Sequence, residues 1–172
     1  MARTATTSCF NGALQRVDGR ASLSPLPQNA RLGASVTVDM ASTYAGQAEQ
    51  VKREVTLRPD ASVSFKDSWR APKAAPVTAS WQWLTTARAR KEKGGVALEQ
   101  DGRVLHLRVK NPYATIEVQD VATLLSERFD APLPGYTRIV VSTPTKAGAR
   151  GTLEVAAVLE PASAAVAAGQ RR

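Results

Sequence analysis

The chain has little of the chemistry from which many functional sites are built. It carries one cysteine, Cys9, and one histidine, His106, among 172 residues. A disulfide framework within the chain is therefore excluded, and no zinc-ligand spacing is present. Aromatic residues make up 5% of the sequence, and no apolar run is long enough to cross a bilayer. We expect no metal and no cofactor.

The first seven residues carry no apolar stretch of the kind that forms a secretory signal. As the chain stands, we expect a cytoplasmic location, although the sequence leaves the compartment open. The length fits one ordinary domain with a hydrophobic core.

A positive net charge is the main bias of the composition. Lys and Arg number 23 against 15 Asp and Glu, which gives a formal charge of +8. Such a surface favours polyanions, namely acidic polysaccharide, nucleic acid or anionic lipid. The alternative is that the cations are scattered over solvated faces, since only 88–93 (RARKEK) forms a dense cluster.

Apolar and polar residues alternate along most of the chain, which is the period of half-buried β-strands. Many short strands separated by Pro and Gly turns predict an all-β, antiparallel β-sandwich of two packed sheets, with about 10–12 strands. We expect one domain over residues 1–161, a flexible tail over 162–172, and at most one short helix, Val121–Arg128. Besides the hairpins described next, strands are predicted at Thr7–Phe10, Arg20–Leu26, Leu32–Met40, Val77–Ala87, Thr115–Gln119, Tyr136–Ser142 and Leu153–Leu159.

One hairpin is predicted with its register. Asp101-Gly102 lies between two alternating runs, a strong signal for a two-residue turn. Such a turn pairs Leu98 with Leu105 and Val96 with Leu107, so that all four apolar side chains share one face.

A second hairpin places two charges on an apolar face. If the loop is the three residues Pro59–Ala61, then Arg53 lies directly opposite Asp67, in line with apolar residues on both strands. A buried charge is costly unless it is paired. We therefore predict a partly buried structural ion pair, with a ligand-binding role as the alternative. A two-residue loop would separate the two charges.

Several segments in order resemble the C-terminal β-sandwich of bacterial heparinase II/III-like polysaccharide lyases, over about Asn11 to Pro161. The matching landmarks are Asn11-Gly12 with Gln15, Val38-Asp39-Met40 through Tyr44, Val51-Lys52-Arg53 through Leu57, Trp81-Gln82-Trp83-Leu84, Gly135 through Ile139, and Leu159-Glu160-Pro161.

The resemblance implies a lyase lineage without lyase chemistry in this chain. In that family an α/α-toroid supplies most of the catalytic cleft, and members are often periplasmic. We expect the toroid to be absent here. The two histidine landmarks are also replaced, by Ala5-Thr6-Thr7 and Leu84-Thr85-Thr86.

Elimination at a uronate needs a group that neutralises the carboxylate, a base and an acid. The candidates are His106, Tyr44, Tyr113 and Tyr136. His106 is expected on the wetter face of its strand, and the tyrosines beside turns are expected to anchor corners. We expect none of them to be catalytic. Trp69, Trp81 and Trp83 are interpreted as core residues, with a sugar-stacking platform as the alternative.

The sequence therefore predicts a heparinase II/III-like module, a truncated or split product, that binds acidic polysaccharide such as glycosaminoglycan or packs on a toroid domain or chain. The candidate binding residues are Arg53, Arg70, Lys73 and Arg88. One rival is a generic polyanion module, for example for nucleic acid, which we disfavour because basic residues are not interleaved with aromatics. The other is a minimal intact uronate lyase. No membrane partner is expected.

Overall fold

Twelve β-strands make up most of the part of the chain that the structure describes. The computed structural model describes residues 5–25, 33–121 and 134–161. The predicted helix after Val121 and the tail 162–172 lie outside these residues. Within the described part of the chain, no helix is long and apolar enough to cross a membrane. The strands are β1 (Ala5–Phe10), β2 (Ser22–Pro25), β3 (Ala34–Asp39), β4 (Glu49–Leu57), β5 (Val63–Arg70), β6 (Val77–Thr85), β7 (Arg88–Glu92), β8 (Gly95–Gln100), β9 (Arg103–Val109), β10 (Thr115–Asp120), β11 (Thr137–Thr145) and β12 (Arg150–Leu159).

The strands form two antiparallel sheets, which confirms the predicted all-β sandwich. The smaller sheet has the order β1-β6-β11-β10, and the larger has the order β2-β3-β4-β5-β12-β9-β8-β7. Strand β12 returns between β5 and β9, so residues far apart in sequence become neighbours in the middle of the larger sheet.

Strand β7 is the element that the sequence analysis missed. Residues 88–93 read as a charge cluster, because Ala89 is the one apolar residue of the strand. The segment pairs with β8 and forms the edge of the larger sheet. An edge strand needs little apolar surface and is commonly protected by charged side chains, so its sequence lacks the usual alternation.

Both predicted hairpin registers are present. Leu98 pairs with Leu105 and Val96 with Leu107, and both turn residues have positive φ, as the tight turn requires. In the second hairpin the backbone nitrogen of Arg58 donates to the Ser62 carbonyl over 2.8 Å, which closes a three-residue loop.

The core lies between the inner faces of the sheets and contains the tryptophans. Trp81 is 1% and Trp69 3% exposed, and the partly buried Trp83 packs against the core. Phe65 contacts the rings of both Trp81 and Trp83, with centroid distances of 5.9 and 6.0 Å. The interpretation of the tryptophans as core residues is confirmed.

Candidate functional site

Arg53 and Asp67 lie in the core rather than on a binding surface. The guanidinium donates to both carboxylate oxygens, over 2.6 Å from Nε and 2.7 Å from Nη2. Burial disfavours the charged form of Arg53, but hydrogen bonding and attraction to Asp67 outweigh this and raise its pKa. The geometry is that of a structural, bidentate ion pair. Its side chain is only 9% exposed, so Arg53 does not contribute to the outer surface of the sheet.

The other three candidate binding residues divide into two places. Arg70 ends β5, and the exposed Lys73 follows it in the connection to β6. Arg88 begins β7, and strands β12, β9 and β8 separate β7 from β5. At the usual strand spacing, this is a separation of roughly 19 Å across the sheet. The structure therefore brings Arg70 and Lys73 together and leaves Arg88 apart.

A groove crosses the outer face of the larger sheet over β3, β4, β5 and β12. We call it the outer groove, and its volume is about 890 Å³. Most of its lining residues are the alternate residues of these strands that point away from the core. Most of the lining residues are also of polar type, among them Asp39, Lys52, Glu54, Lys66, Arg150 and Thr152.

Two shallower hollows continue the outer groove, and Thr152 lines all three. One hollow contains Lys66, Lys110 and Tyr113, and the other contains Tyr113, Lys146 and Arg150. Tyr113 therefore lies where the two hollows meet.

Tyr113 presents an aromatic ring to solvent beside these cations. Its side chain is 81% exposed. Asn111 fixes the local chain, because its amide donates to the Thr143 hydroxyl over 2.9 Å and its carbonyl oxygen accepts from the Tyr113 nitrogen over 2.9 Å. The expectation that Tyr113 anchors a corner is wrong: the anchor is Asn111, which leaves the ring free.

Cations outnumber anions along the connected surface. The lining contains Lys52, Lys66, Lys110, Lys146 and Arg150 against Asp39, Glu54 and Glu154. Lys110 contacts Glu154 at 2.7 Å, and Lys52 lies 3.8 Å from Asp39. Lys66, Lys146 and Arg150 form no ion pair with a carboxylate of the described residues within 4.0 Å. Lys66 lies between its register partners Glu54 and Glu154, so Lys146 and Arg150 are the cations more available to an external anion.

His106 lies on the outer face, as predicted, but it is nearly covered. Its side chain is 13% exposed, Nδ1 lies 2.8 Å from Glu92, and Nε2 lies 2.8 Å from Glu160. The hydrogen bonds to Glu160 and to Glu92 raise the His106 pKa, and the bond to His106 lowers that of Glu92. We call this contact of β7, β9 and the end of β12 the His106 clip.

Tyr44 is also occupied structurally. It is 0% exposed, and its hydroxyl accepts a hydrogen bond from Gln15 over 2.5 Å. Burial raises its pKa. A group this deep lies out of reach of a polymer at the surface, and the corner role expected for Tyr44 fits its surroundings.

Among residues 5–25, 33–121 and 134–161, no three His, Cys, Asp or Glu side chains are grouped so that they could hold a metal ion. Comparison with known proteins found no protein-family model that matches the chain and no curated protein that matches it in sequence.

Proposed function

We propose that this protein is a non-catalytic β-sandwich module of heparinase II/III-like lineage, and that it binds acidic polysaccharide along the outer groove. The observation that carries the proposal is the groove itself, which crosses four strands and contains the cations Lys66 and Arg150, neither of which forms an ion pair within 4.0 Å with a carboxylate of the described residues. The lineage is supported by the order of the sequence landmarks from Asn11 to Pro161.

The dimensions and chemistry of the groove suit a polymer of sugars. Four strands span roughly 15 Å at the usual spacing, which leaves room for several rings laid across them. The hydroxyl groups of Thr37, Ser68 and Thr152 line the groove beside Lys52 and Lys66. Hydroxyl groups can exchange hydrogen bonds with sugar hydroxyls, while the cations select a charged polymer.

Tyr113 supports a sugar ligand over a nucleic acid. It is a single exposed ring beside the cations, and a sugar can stack on one such ring. Single-stranded nucleic acid is commonly held by successive aromatic side chains, one for each stacked base. On the outer groove and its two hollows, Tyr113 is the exposed aromatic residue.

The hydrogen-bond partners and the burial of the candidate acids and bases support binding without catalysis. Both ring nitrogens of His106 are engaged by carboxylates, and Tyr44 is buried. Tyr113 and Lys110 lie on the surface, and Lys110 is engaged by Glu154 at 2.7 Å. The described residues bring no histidine to the outer groove.

The test is a titration of the protein with heparan sulfate, alginate, hyaluronan, neutral dextran and single-stranded DNA. We expect salt-sensitive binding to at least one acidic polysaccharide and none to dextran. Lys66→Gln should weaken binding, whereas the matched control Lys91→Gln, an exposed cation of β7, should not.

Equal binding by the two variants, or binding of DNA alone, would overturn the proposal. The same samples should be followed at the absorbance of unsaturated uronate. Product formation would contradict the non-catalytic assignment and favour the minimal lyase.

A further inference from the structure

Two arginines face each other across neighbouring strands of the larger sheet. Arg70, the last residue of β5, is the register partner of Arg150, the first residue of β12. Both point away from the core, because the adjacent Trp69 is buried and the adjacent Gly151 packs against the Trp69 ring. Like charges directly opposite each other destabilise a sheet. The pair therefore carries a cost in the free protein.

Two lysines are brought to the same end of the sheet. Beyond β5 the backbone stays beside the β11–β12 connection, because Ala71 donates to the Ala149 carbonyl and Gly148 donates to the Pro72 carbonyl, each over 2.9 Å. Lys73 therefore packs against Gly148. Lys146 belongs to the same connection and lines a hollow together with Arg150.

The charge of this cluster is not compensated within the described residues. None of Arg70, Lys73, Lys146 and Arg150 forms an ion pair there within 4.0 Å. Glu49 is in register with Arg70 on the β4 side, but it too remains outside that distance. The Nε of Arg70 is buried and has no hydrogen-bond partner among these residues. A buried donor without a partner is costly in the free protein.

We propose that Arg70 and Arg150 form an oxyanion subsite at the end of the outer groove, which holds one carboxylate or sulfate ester of the bound polymer. Two guanidinium groups on one face match the acceptor geometry of such an anion. Lys73 and Lys146 add positive potential beside it. This inference deepens the proposed function and rests on it for the identity of the polymer. The subsite is the position at which ionic contacts with two arginines hold the polymer.

The first test uses inorganic sulfate alone. Low concentrations of sodium sulfate should raise the melting temperature of the unaltered protein more than sodium chloride of equal ionic strength does. Arg70→Gln and Arg150→Gln should lose this sulfate-specific increment, whereas Lys91→Gln should keep it. Without added anion, Arg150→Gln should melt at the same temperature as the unaltered protein or above it, because a like-charge contact is removed. An increment that survives in both arginine variants would overturn the subsite.

The second test uses the polymers. Each arginine variant should bind the acidic polysaccharide about ten-fold more weakly, the scale of one lost charged hydrogen-bonded contact. A loss confined to heparan sulfate identifies a sulfate ester, and a loss shared with alginate identifies a carboxylate. If the unaltered protein binds no polymer, the proposed function fails, and the sulfate test still decides the subsite. If both arginine variants bind the polymer as tightly as Lys91→Gln does, the subsite fails while the proposed function stands.

Discussion

Arg53 and Asp67 face each other across β4 and β5 inside the core, joined by two hydrogen bonds of 2.6 and 2.7 Å. Their side chains are 9% and 7% exposed. The desolvation of each charge is offset by the other, so the pair acts as a unit. A sequence motif that would otherwise suggest ligand binding is therefore part of the fold.

Removing one member of this pair should be worse than removing both. Arg53→Met leaves the Asp67 carboxylate buried and uncompensated, and we expect a loss of about 3–5 kcal/mol in the free energy of unfolding. The double variant Arg53→Met with Asp67→Leu should recover most of that loss. Urea unfolding of the three proteins measures both values. Equal stability of the Arg53→Met variant and the unaltered protein would contradict the pairing.

Gly151 is required by its contact with Trp69. A Cβ at this position would lie 2.3 Å from the indole ring and 2.5 Å from the Thr145 hydroxyl oxygen. That hydroxyl accepts a hydrogen bond from the Trp69 indole nitrogen over 3.1 Å. Gly151→Ala should therefore cost about 1–3 kcal/mol through overpacking. Thr152→Ala, the next residue on the outer face, is the control for thermal melting and should change stability much less.

The His106 clip should make stability depend on pH in a defined direction. The folded-state pKa of His106 is raised by its hydrogen bonds to Glu160 and Glu92. Its contribution is therefore fully present below the unfolded value, about 6.5, and is lost as pH rises through the higher folded value. The melting-temperature difference between the unaltered protein and His106→Gln should be larger near pH 6 than near pH 9.

Two arginines also act on His106 and Glu92 through their charge. Arg108 opposes the rise of the His106 pKa, and Arg108 and Arg90 both help to lower the Glu92 pKa. Lys91→Gln, which changes an exposed cation of the same edge strand, controls for general charge effects. A difference between the unaltered protein and His106→Gln that stays constant with pH would count against the clip.

Tyr113 should matter for binding and not for folding. Its ring is 81% exposed, so Tyr113→Ala should leave the melting temperature nearly unchanged. Affinity for the acidic polysaccharide should fall by about five-fold, the scale of one lost stacking contact. Tyr113→Trp should retain binding because a flat ring remains. Binding unaffected by Tyr113→Ala would remove this residue from the site.

The sequence alone predicts the register of a hairpin where its turn residues and its apolar alternation agree. The Asp101-Gly102 turn and the alternation on both sides of it set the register of β8 and β9, because a one-residue shift would expose every apolar side chain. The same reasoning placed Arg53 opposite Asp67. In both cases the paired residues are close in the sequence, so the length of one short loop and the apolar alternation beside it determine the partners.

The outer groove could not be predicted in this way. Arg70 and Arg150 become neighbours because β12 inserts between β5 and β9, a pairing over a long sequence distance that no turn specifies. In the sequence, Tyr113 lies beside a turn signal, which does not indicate whether its ring is exposed. In the structure, Asn111 donates to Thr143 of β11 and so positions the segment that carries Tyr113. Alternation marks which residues face away from the core, but the order of the strands decides which of them meet.

The most direct test of the central claim is an amide chemical-shift titration of the protein with alginate and heparan sulfate oligosaccharides. The account predicts that shifts on binding concentrate on the outer residues of β3, β4, β5 and β12, with Lys66, Thr152 and Arg150 among the largest. Shifts concentrated on β7 to β9, or no shifts at concentrations that saturate a polyanion-binding protein, would contradict it.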